Sequence, residues 1–292
     1  MIDPAIRAIL RDRRIAVVDI GARAIPGHDP CYRALVEAGL ADLIAFDADA
    51  QACADLEACY PGARIVAAAV GDGGEHRLHR TEMASKSSLF PPNAAVAALY
   101  QTFEQGMHVE ACETVRTVRL DDMLAGPPDL VTMDIQGGEA MAIAGGTRSF
   151  AGALMVETEV EFVEQYRGQP LFGDIDCALR ALGLVFHRFT GYATRAMRPV
   201  LIGDDPTRGV NQWLWADAVY YADPLHWDAL PPPRLRALAA LMHHAHQSWD
   251  VAYAALAAAD RQDGDDSAAH YLAALHGQPE HAGAGKALET VS

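Results

Sequence analysis

Over its first 220 or so residues the chain alternates short apolar runs with stretches whose apolar positions recur at helical spacing. The runs at residues 15–20, 43–47, 63–70, 114–120, 130–134, 154–159 and 184–189 predict strands buried on both faces. Helices are predicted between them, at 32–38, 50–59, 139–145 and 175–182. A short helix is predicted before the first strand, with Pro4 at its first position, where a missing N–H costs nothing. Residues 212–221 alternate aromatic and β-branched side chains and predict a last strand in an edge hairpin. Strands interleaved with helices imply an α/β fold, a mostly parallel sheet covered on both faces.

From Pro224 the character changes. Pro231-Pro232-Pro233 punctuates the chain, and residues 235–258 then carry an apolar stripe at helical spacing. This predicts a C-terminal helical appendage of two helices, its stripe buried against the sheet domain or a second subunit. The expected division is an N-terminal helix at 1–14, a sheet domain at 15–223, the appendage at 224–276 and a mobile tail at 277–292.

Composition narrows the function classes. Of 292 residues, 51% are hydrophobic and 21% charged, enough to bury a large core. Lys plus Arg number 23 against 39 Asp plus Glu, a net charge of −16, and no long basic run offsets that field. Nucleic acid and anionic membrane surfaces are therefore excluded as expected partners. No apolar run reaches the length of about 18 residues that a membrane span needs. The first residues show no basic segment followed by an apolar one, so no signal peptide is expected. The five cysteines form no CxxC pair, which argues against a disulfide framework or a zinc site and for a reducing, cytoplasmic compartment.

The candidate chemistry sits at strand ends. Asp19-Ile20-Gly21-Ala22 closes the first strand, where a doubly wound sheet binds ligands and a glycine lets the backbone approach them. The phosphate-cradling GxGxxG spacing is absent, with Pro26 blocking a helix, which excludes a nicotinamide dehydrogenase. Asp47 ends the second strand and can accept hydrogen bonds from ribose hydroxyls, or can be a solvated strand-end acid. Gly71-Asp72 follows the third and fits either an adenine edge or an ordinary turn. A nucleoside lying across the strand ends explains the acids together. Asp134, Gln136, Gly137-Gly138 and Glu139 follow a central strand. Glu157, Glu159 and Glu161 share one face of the next, where buried carboxylates need partners.

Several of these pieces, in this order and spacing, resemble the FkbM-type S-adenosylmethionine-dependent methyltransferases. They are Val18-Asp19-Ile20-Gly21-Ala22, Ser87-Ser88-Leu89, Val118-Arg119-Leu120-Asp121-Asp122-Met123-Leu124 and Met133-Asp134-Ile135-Gln136-Gly137-Gly138-Glu139. Glu159, Glu161, Phe162, Tyr166, Phe172 and Asp176 complete the match, over about residues 15–190. The resemblance implies a Rossmann-like class I methyltransferase sheet of seven strands, mostly parallel with an antiparallel last strand. It also implies O-methylation of a sugar, glycan or other polyhydroxylated metabolite. S-adenosylmethionine would be held by Asp19, Gly21, Ala22, Asp47, Ala48 and Asp72, with Asp134 and Gln136 nearer the methyl group. Two positions depart from the family pattern. Asp47-Ala48 replaces its acid–Pro pair, and Thr132-Met133 stands where a Lys is common. Residues 209–218 resemble a bacterial variant of the family near glycan-modification functions.

Asp134, Glu159 and His187 are the candidate general bases, His187 for an ordinary pKa suited to the task and an expected place at the end of its strand. Asp134 with Glu157 or Glu159 could alternatively hold a divalent ion, so the metal requirement stays open. His243 and His246 have metal-ligand spacing but no acid or Cys partner, and predict a solvated helix face. Trp213 and Trp215 fit core or a cap over the donor, and residues 85–88 either line the pocket or cap a loop. The partner expected is a small-molecule or glycan acceptor, and a homodimer is compatible with the sequence. The alternative function is a non-catalytic nucleoside-binding or scaffold protein of the same fold.

Overall fold

Seven of the nine strands among the described residues follow the apolar runs; the strand at 75–81 falls where none is expected, and that at 109–116 only overlaps the run at 114–120. The nine are β1 (Ile15–Ile20), β2 (Ala41–Asp47), β3 (Arg64–Ala67), β4 (Glu75–Thr81), β5 (Val109–Arg116), β6 (Leu130–Met133), β7 (Met155–Glu161), β8 (Leu184–Thr194) and β9 (Trp213–Ala222). This is a computed structural model that describes residues 3–25, 27 and 29–276. Pro26 and the tail 277–292, expected to be mobile, lie outside the described residues.

Seven strands form one sheet in the order β3-β2-β1-β6-β7-β9-β8. β2 runs parallel to β3 with Phe46 opposite Val66, and β6 parallel to β7 with Met133 opposite Thr158. β9 is antiparallel to β7, Glu161 facing Trp215. This is the expected class I sheet with an antiparallel last strand. The strand order reverses between β1 and β6, the switch point where doubly wound sheets open a crevice. Val18, Ile20, Phe46, Val131, Met133, Val156, Val160 and Tyr220 build the core along these strands.

β9 pairs with β8 at the edge of the sheet, as the edge-hairpin pattern predicts, with β8 outermost; its place between β7 and β8 explains why Leu214, Ala216, Ala218 and Tyr220 are all buried. One expectation needs correction. Residues 114–120 are not one strand. β5 pairs with β4 in a separate antiparallel hairpin, Val118 bridges in parallel to Val70, and Leu120 already begins a helix. The side chains of β5 are mostly exposed, so no buried face held that run together.

The helices are α1 (Pro4–Leu10), α2 (Arg33–Glu37), α3 (Ala50–Cys59), α4 (Ala94–Ala97), α5 (Leu120–Met123), α6 (Glu139–Gly145), α7 (Thr147–Ala151), α8 (Phe172–Ala181), α9 (Pro232–His246), α10 (Trp249–Asp263) and α11 (Ser267–His276). No helix among the described residues is long and apolar enough to cross a membrane. Among the described residues, packing groups those within 1–17, 26–42 and 222–276 into one compact unit and residues 18–25 and 43–221 into another.

In the first unit α9 packs on α10 and α1, and α10 packs on α11. The apolar stretch read as 235–258 is thus two helices, separated where Gln247 takes a left-handed φ of 52°. Leu235 through Met242 are all buried, and so are His243 and His246, correcting the expected solvated face. His243 meets the Tyr271 hydroxyl at 2.8 Å through Nδ1 and the Asp3 carboxylate at 3.2 Å through Nε2. Asp3 also caps α1, accepting from Ala5 N at 2.8 Å.

Arg236, buried on α9, faces Asp263 at 2.8 Å, Asp265 at 3.1 Å and Asp260 at 3.9 Å, while Arg11 also pairs with Asp265. Removing the buried guanidinium leaves these carboxylates facing one another. Arg236→Ala is expected to lower stability by about 3 kcal/mol or more, read from urea denaturation of the full chain.

Candidate active site

The crevice is built by loops that leave β1 and β6 and close on each other. Gly21 takes φ +84°, and a Cβ there would sit 1.9 Å from the Asp134 carbonyl oxygen. Only glycine permits both the backbone conformation and the contact. Hydrogen bonds fix the loops to the sheet, Gly21 N to Phe46 O at 2.8 Å and Asp134 N to Ile20 O at 3.0 Å. Ala22 is buried behind this turn and Asp19 half-buried on the strand before it. The loop after β3 is held comparably, since a Cβ on Gly145 of α6 would lie 1.8 Å from Gly71 O.

Asp47, at the end of β2, is buried and gripped by a residue that the sequence reading passed over. Arg23 reaches it with Nε at 3.1 Å from Oδ2 and Nη2 at 3.2 Å from Oδ1, a two-pronged pair. Asp49 N donates to the same carboxylate at 2.6 Å, across Ala48. Burial pushes the Asp47 carboxyl above its ordinary pKa, and Arg23 opposes that shift. The signal for Arg23 was its lone positive charge in a loop flanked by strand-end acids. Asp72 is exposed. It accepts from Gly74 N and His76 Nε2, each at 2.8 Å, and the His76 hydrogen bond is the main cause that holds its pKa low.

The centre of the site is a knot around Gln136. This residue is held at φ +55°, unusual for a side chain other than glycine. Its amide nitrogen donates to Asp134 Oδ1 at 2.7 Å and to Glu159 Oε2 at 3.1 Å, bridging carboxyls at the ends of β6 and β7. Its amide oxygen faces the Tyr166 hydroxyl at 2.7 Å and Gln165 Nε2 at 3.4 Å. Its backbone carbonyl accepts from Ser88 Oγ at 2.6 Å, so a serine of the 85–88 segment lines the knot from behind. Glu139, at the start of α6, turns back to accept from Ile135 N at 2.9 Å.

These acids titrate as a group. Burial, then the charges of Asp134 and Glu161, holds Glu159 well above the usual carboxyl range. Burial and neighbouring carboxylates raise Glu161 likewise, and Glu139 is raised to about 7, chiefly by burial. Asp134 is raised by desolvation too, although solvent reaches it, because protein surrounds the crevice floor where it stands. Glu159 and Glu161 therefore hold their protons more tightly than ordinary carboxyls, and Asp134 is the acid of the group that the crevice exposes.

The structure brings Asp134, Gln136 and Glu159 together and leaves two of the other acid and base candidates outside. Glu157 lies two residues back along β7, where it accepts from Thr190 Oγ1 at 3.1 Å. His187 is in the middle of β8 rather than at its end, with its ring 5.6 Å from that of Tyr221. Tyr221 pairs with Met155, the first residue of β7, so His187 is level with the opposite end of the sheet from Glu159. Four strand residues separate those levels, about 13 Å. Trp213 and Trp215 are both in aromatic packing, Trp213 against Phe162 and Phe189 and Trp215 stacked on Phe103.

A doubly wound seven-stranded sheet with one antiparallel strand and acids at its strand ends defines a class I methyltransferase fold. The methyltransferase FkbM domain matches residues 19–186, more than half of the chain. The chain belongs to this FkbM methyltransferase family, whose members depend on S-adenosylmethionine. It is similar to the solved TehB-like SAM-dependent methyltransferase of Corynebacterium glutamicum at 16% identity and a TM-score of 0.35, covering 76% of this chain and 89% of that one. It is also similar to the methyltransferase FkbM of Methylobacillus flagellatus, at 13% identity and a TM-score of 0.39, covering 75% of this chain but 48% of that one. Among curated proteins, none matches significantly.

The knot sets a pH dependence. A carboxyl whose folded pKa is raised leaves stability unchanged below its ordinary pKa and takes it away as pH climbs toward the folded value. Glu161→Gln should therefore gain stability relative to the unaltered chain as pH rises from about 5 to 8, by about 1 kcal/mol or more, and show little difference near pH 4. Urea denaturation of both proteins across that range checks it.

Proposed function

We propose that this protein transfers the methyl group of S-adenosylmethionine to a hydroxyl of a sugar, glycan or other polyhydroxylated metabolite, with Asp134 receiving the hydroxyl proton. The observation that carries the reading is the Gln136 amide stretched between Asp134 and Glu159 on the crevice floor. The strand ends suit such a donor. Asp47 offers a carboxylate to ribose hydroxyls beside Arg23, and Gly21 with Ala22 presents backbone without a side chain in the way. Asp19 on β1 and Ala48 and Asp72 on the neighbouring loops flank them, and the acids near Asp134 complement a positive sulfonium.

When bound, the donor supplies a methyl group already activated by its sulfonium charge. The protein's own task is then alignment and proton removal. Gln136 spends one N–H on each carboxyl, which fixes the rotamer of Asp134. Burial of Glu159 favours its protonated form, which lessens the repulsion of a second negative charge on Asp134. Asp134, with its raised pKa and its access to solvent, is a stronger base than an ordinary aspartate. As the new C–O bond forms, the hydroxyl proton passes to its carboxylate.

The unaltered protein should bind S-adenosylmethionine and its demethylated product in the micromolar range, roughly −8 kcal/mol by calorimetry. Asp47→Ala should weaken both by about 1–3 kcal/mol. A panel of nucleotide sugars and free glycans, read by mass spectrometry, identifies an acceptor. With it, Asp134→Asn is expected to lose on the order of 10²-fold in turnover while donor affinity changes less than about tenfold. Turnover at the unaltered rate would remove Asp134 as the base, and absence of donor binding would favour a non-catalytic role.

A further inference from the structure

A cavity of about 560 Å³ opens along the segment that leads into α4, and none of the site residues above lines it. Pro91, Pro92 and the α4 residues Ala94 and Ala97 line it, together with Met107 and Val109 where the chain enters β5. Their side chains carry no nitrogen or oxygen, so the wall they form offers an occupant apolar contact. The volume lies in the range of about 300–1,000 Å³ that small-molecule sites occupy. Hydrogen bonds already fix the wall. Pro92 pairs with Tyr166 in an isolated antiparallel bridge, and Arg167 N donates to Pro91 O at 2.8 Å. Asn93 N donates to Gln165 O at 2.9 Å. Ala97 and Met107 are buried in a small core with Tyr100, Phe103, Tyr166 and Leu214. Filling a cavity framed in this way costs little ordering of the chain.

Three ionisable side chains complete the lining: Arg167, His108 and Glu104. Glu104 is engaged by Arg198, whose hydrogen bond is the main cause that holds its carboxyl below the ordinary range. Arg167 and His108 are exposed, and both carry N–H groups that an occupant can reach. With Glu104 paired, the charge left to the lining is the Arg167 guanidinium, a local positive point on a chain of net charge −16. Tyr166 belongs both to the frame of the cavity and to the knot, since its hydroxyl meets Gln136 at 2.7 Å. One residue therefore separates an occupant resting on Pro92 from Gln136.

We propose that this cavity binds a small carboxylic acid with an apolar body, its carboxylate on Arg167 and its body against Pro91, Pro92 and Ala97. The inference goes beyond methyl transfer and does not depend on it. A planar guanidinium meets a carboxylate with two parallel N–H donors, a match that a point charge lacks. His108 can add a further donor. A single arginine suits one negative charge better than the nearly two of a phosphate monoester. Covering the wall removes apolar surface from water and supplies the affinity, while the carboxylate fixes the orientation.

The test is calorimetry on the full chain with 2-naphthoate and decanoate as probes, one with a flat body and one with a flexible body. At least one is expected to bind, with an affinity that falls as salt is raised. Acetate keeps the charge without the body, and 2-naphthol keeps the ring without the charge. Each should bind at least about tenfold more weakly than the bound acid. Arg167→Gln should weaken that acid by about tenfold or more, and Arg167→Lys should retain part of the affinity. Ala94→Leu, at an exposed position of the wall, leaves the charge and narrows the cavity. It should also weaken binding by about tenfold. Urea denaturation of each variant reports folding. Failure of both acids to bind at about 1 mM overturns the proposal. So does 2-naphthol binding as tightly as the bound acid, or unchanged affinity in a folded Arg167→Gln or Ala94→Leu protein.

Discussion

One side chain holds the ends of the two central strands in register with each other's chemistry: the amide of Gln136. Its two protons go to carboxyls from β6 and β7, and its oxygen faces Tyr166 and Gln165. A residue held at positive φ stores about 1–3 kcal/mol of strain, and it persists only where its surroundings over-determine it. Here five polar neighbours do so. The same geometry explains why four acids can stand together: an amide satisfies two of them without adding charge, and burial favours the protonated forms of Glu159 and Glu161.

The chain treats its other acids differently. Asp47 is neutralised by a two-pronged arginine, Asp72 is hydrogen-bonded to His76, and Asp260, Asp263 and Asp265 face Arg236. Among the described residues, the acids at the floor of the crevice are gathered with no cation in contact. That contrast marks the knot as chemically distinct, since a purely structural cluster would be expected to carry its own counter-charge.

Much of this was legible in the sequence, and the reasons are local. Buried parallel strands read as continuous apolar runs, so β1, β2, β6 and β7 were plain, and the period-two glutamates placed Glu159 and Glu161 on one face. The Asp-Ile-Gln-Gly-Gly-Glu segment located the knot. What periodicity could not see was pairing. Whether residues 212–221 form an edge or an inner strand depends on which segment lies beside them, and so does the level of His187 along the sheet. The burial of His243 depended on Asp3 and Tyr271, both distant in sequence. The salt bridge of Arg23 with Asp47 likewise joins residues on two separate loops.

Distance along the chain has a further consequence in the first unit. The bonds from Asp3 to His243 and from Arg11 to Asp265 span 240 and 254 residues. Helix α1 carries Ile6, Ile9 and Leu10, all buried in the finished fold. During synthesis this helix is made well before the segments that bond to it, which follow 240 and 254 residues later. At roughly 5–20 residues per second its apolar face stays uncovered for about ten to fifty seconds. The nascent chain thus carries a bare apolar helix until the segments that cover it are made, a natural foothold for a ribosome-associated chaperone.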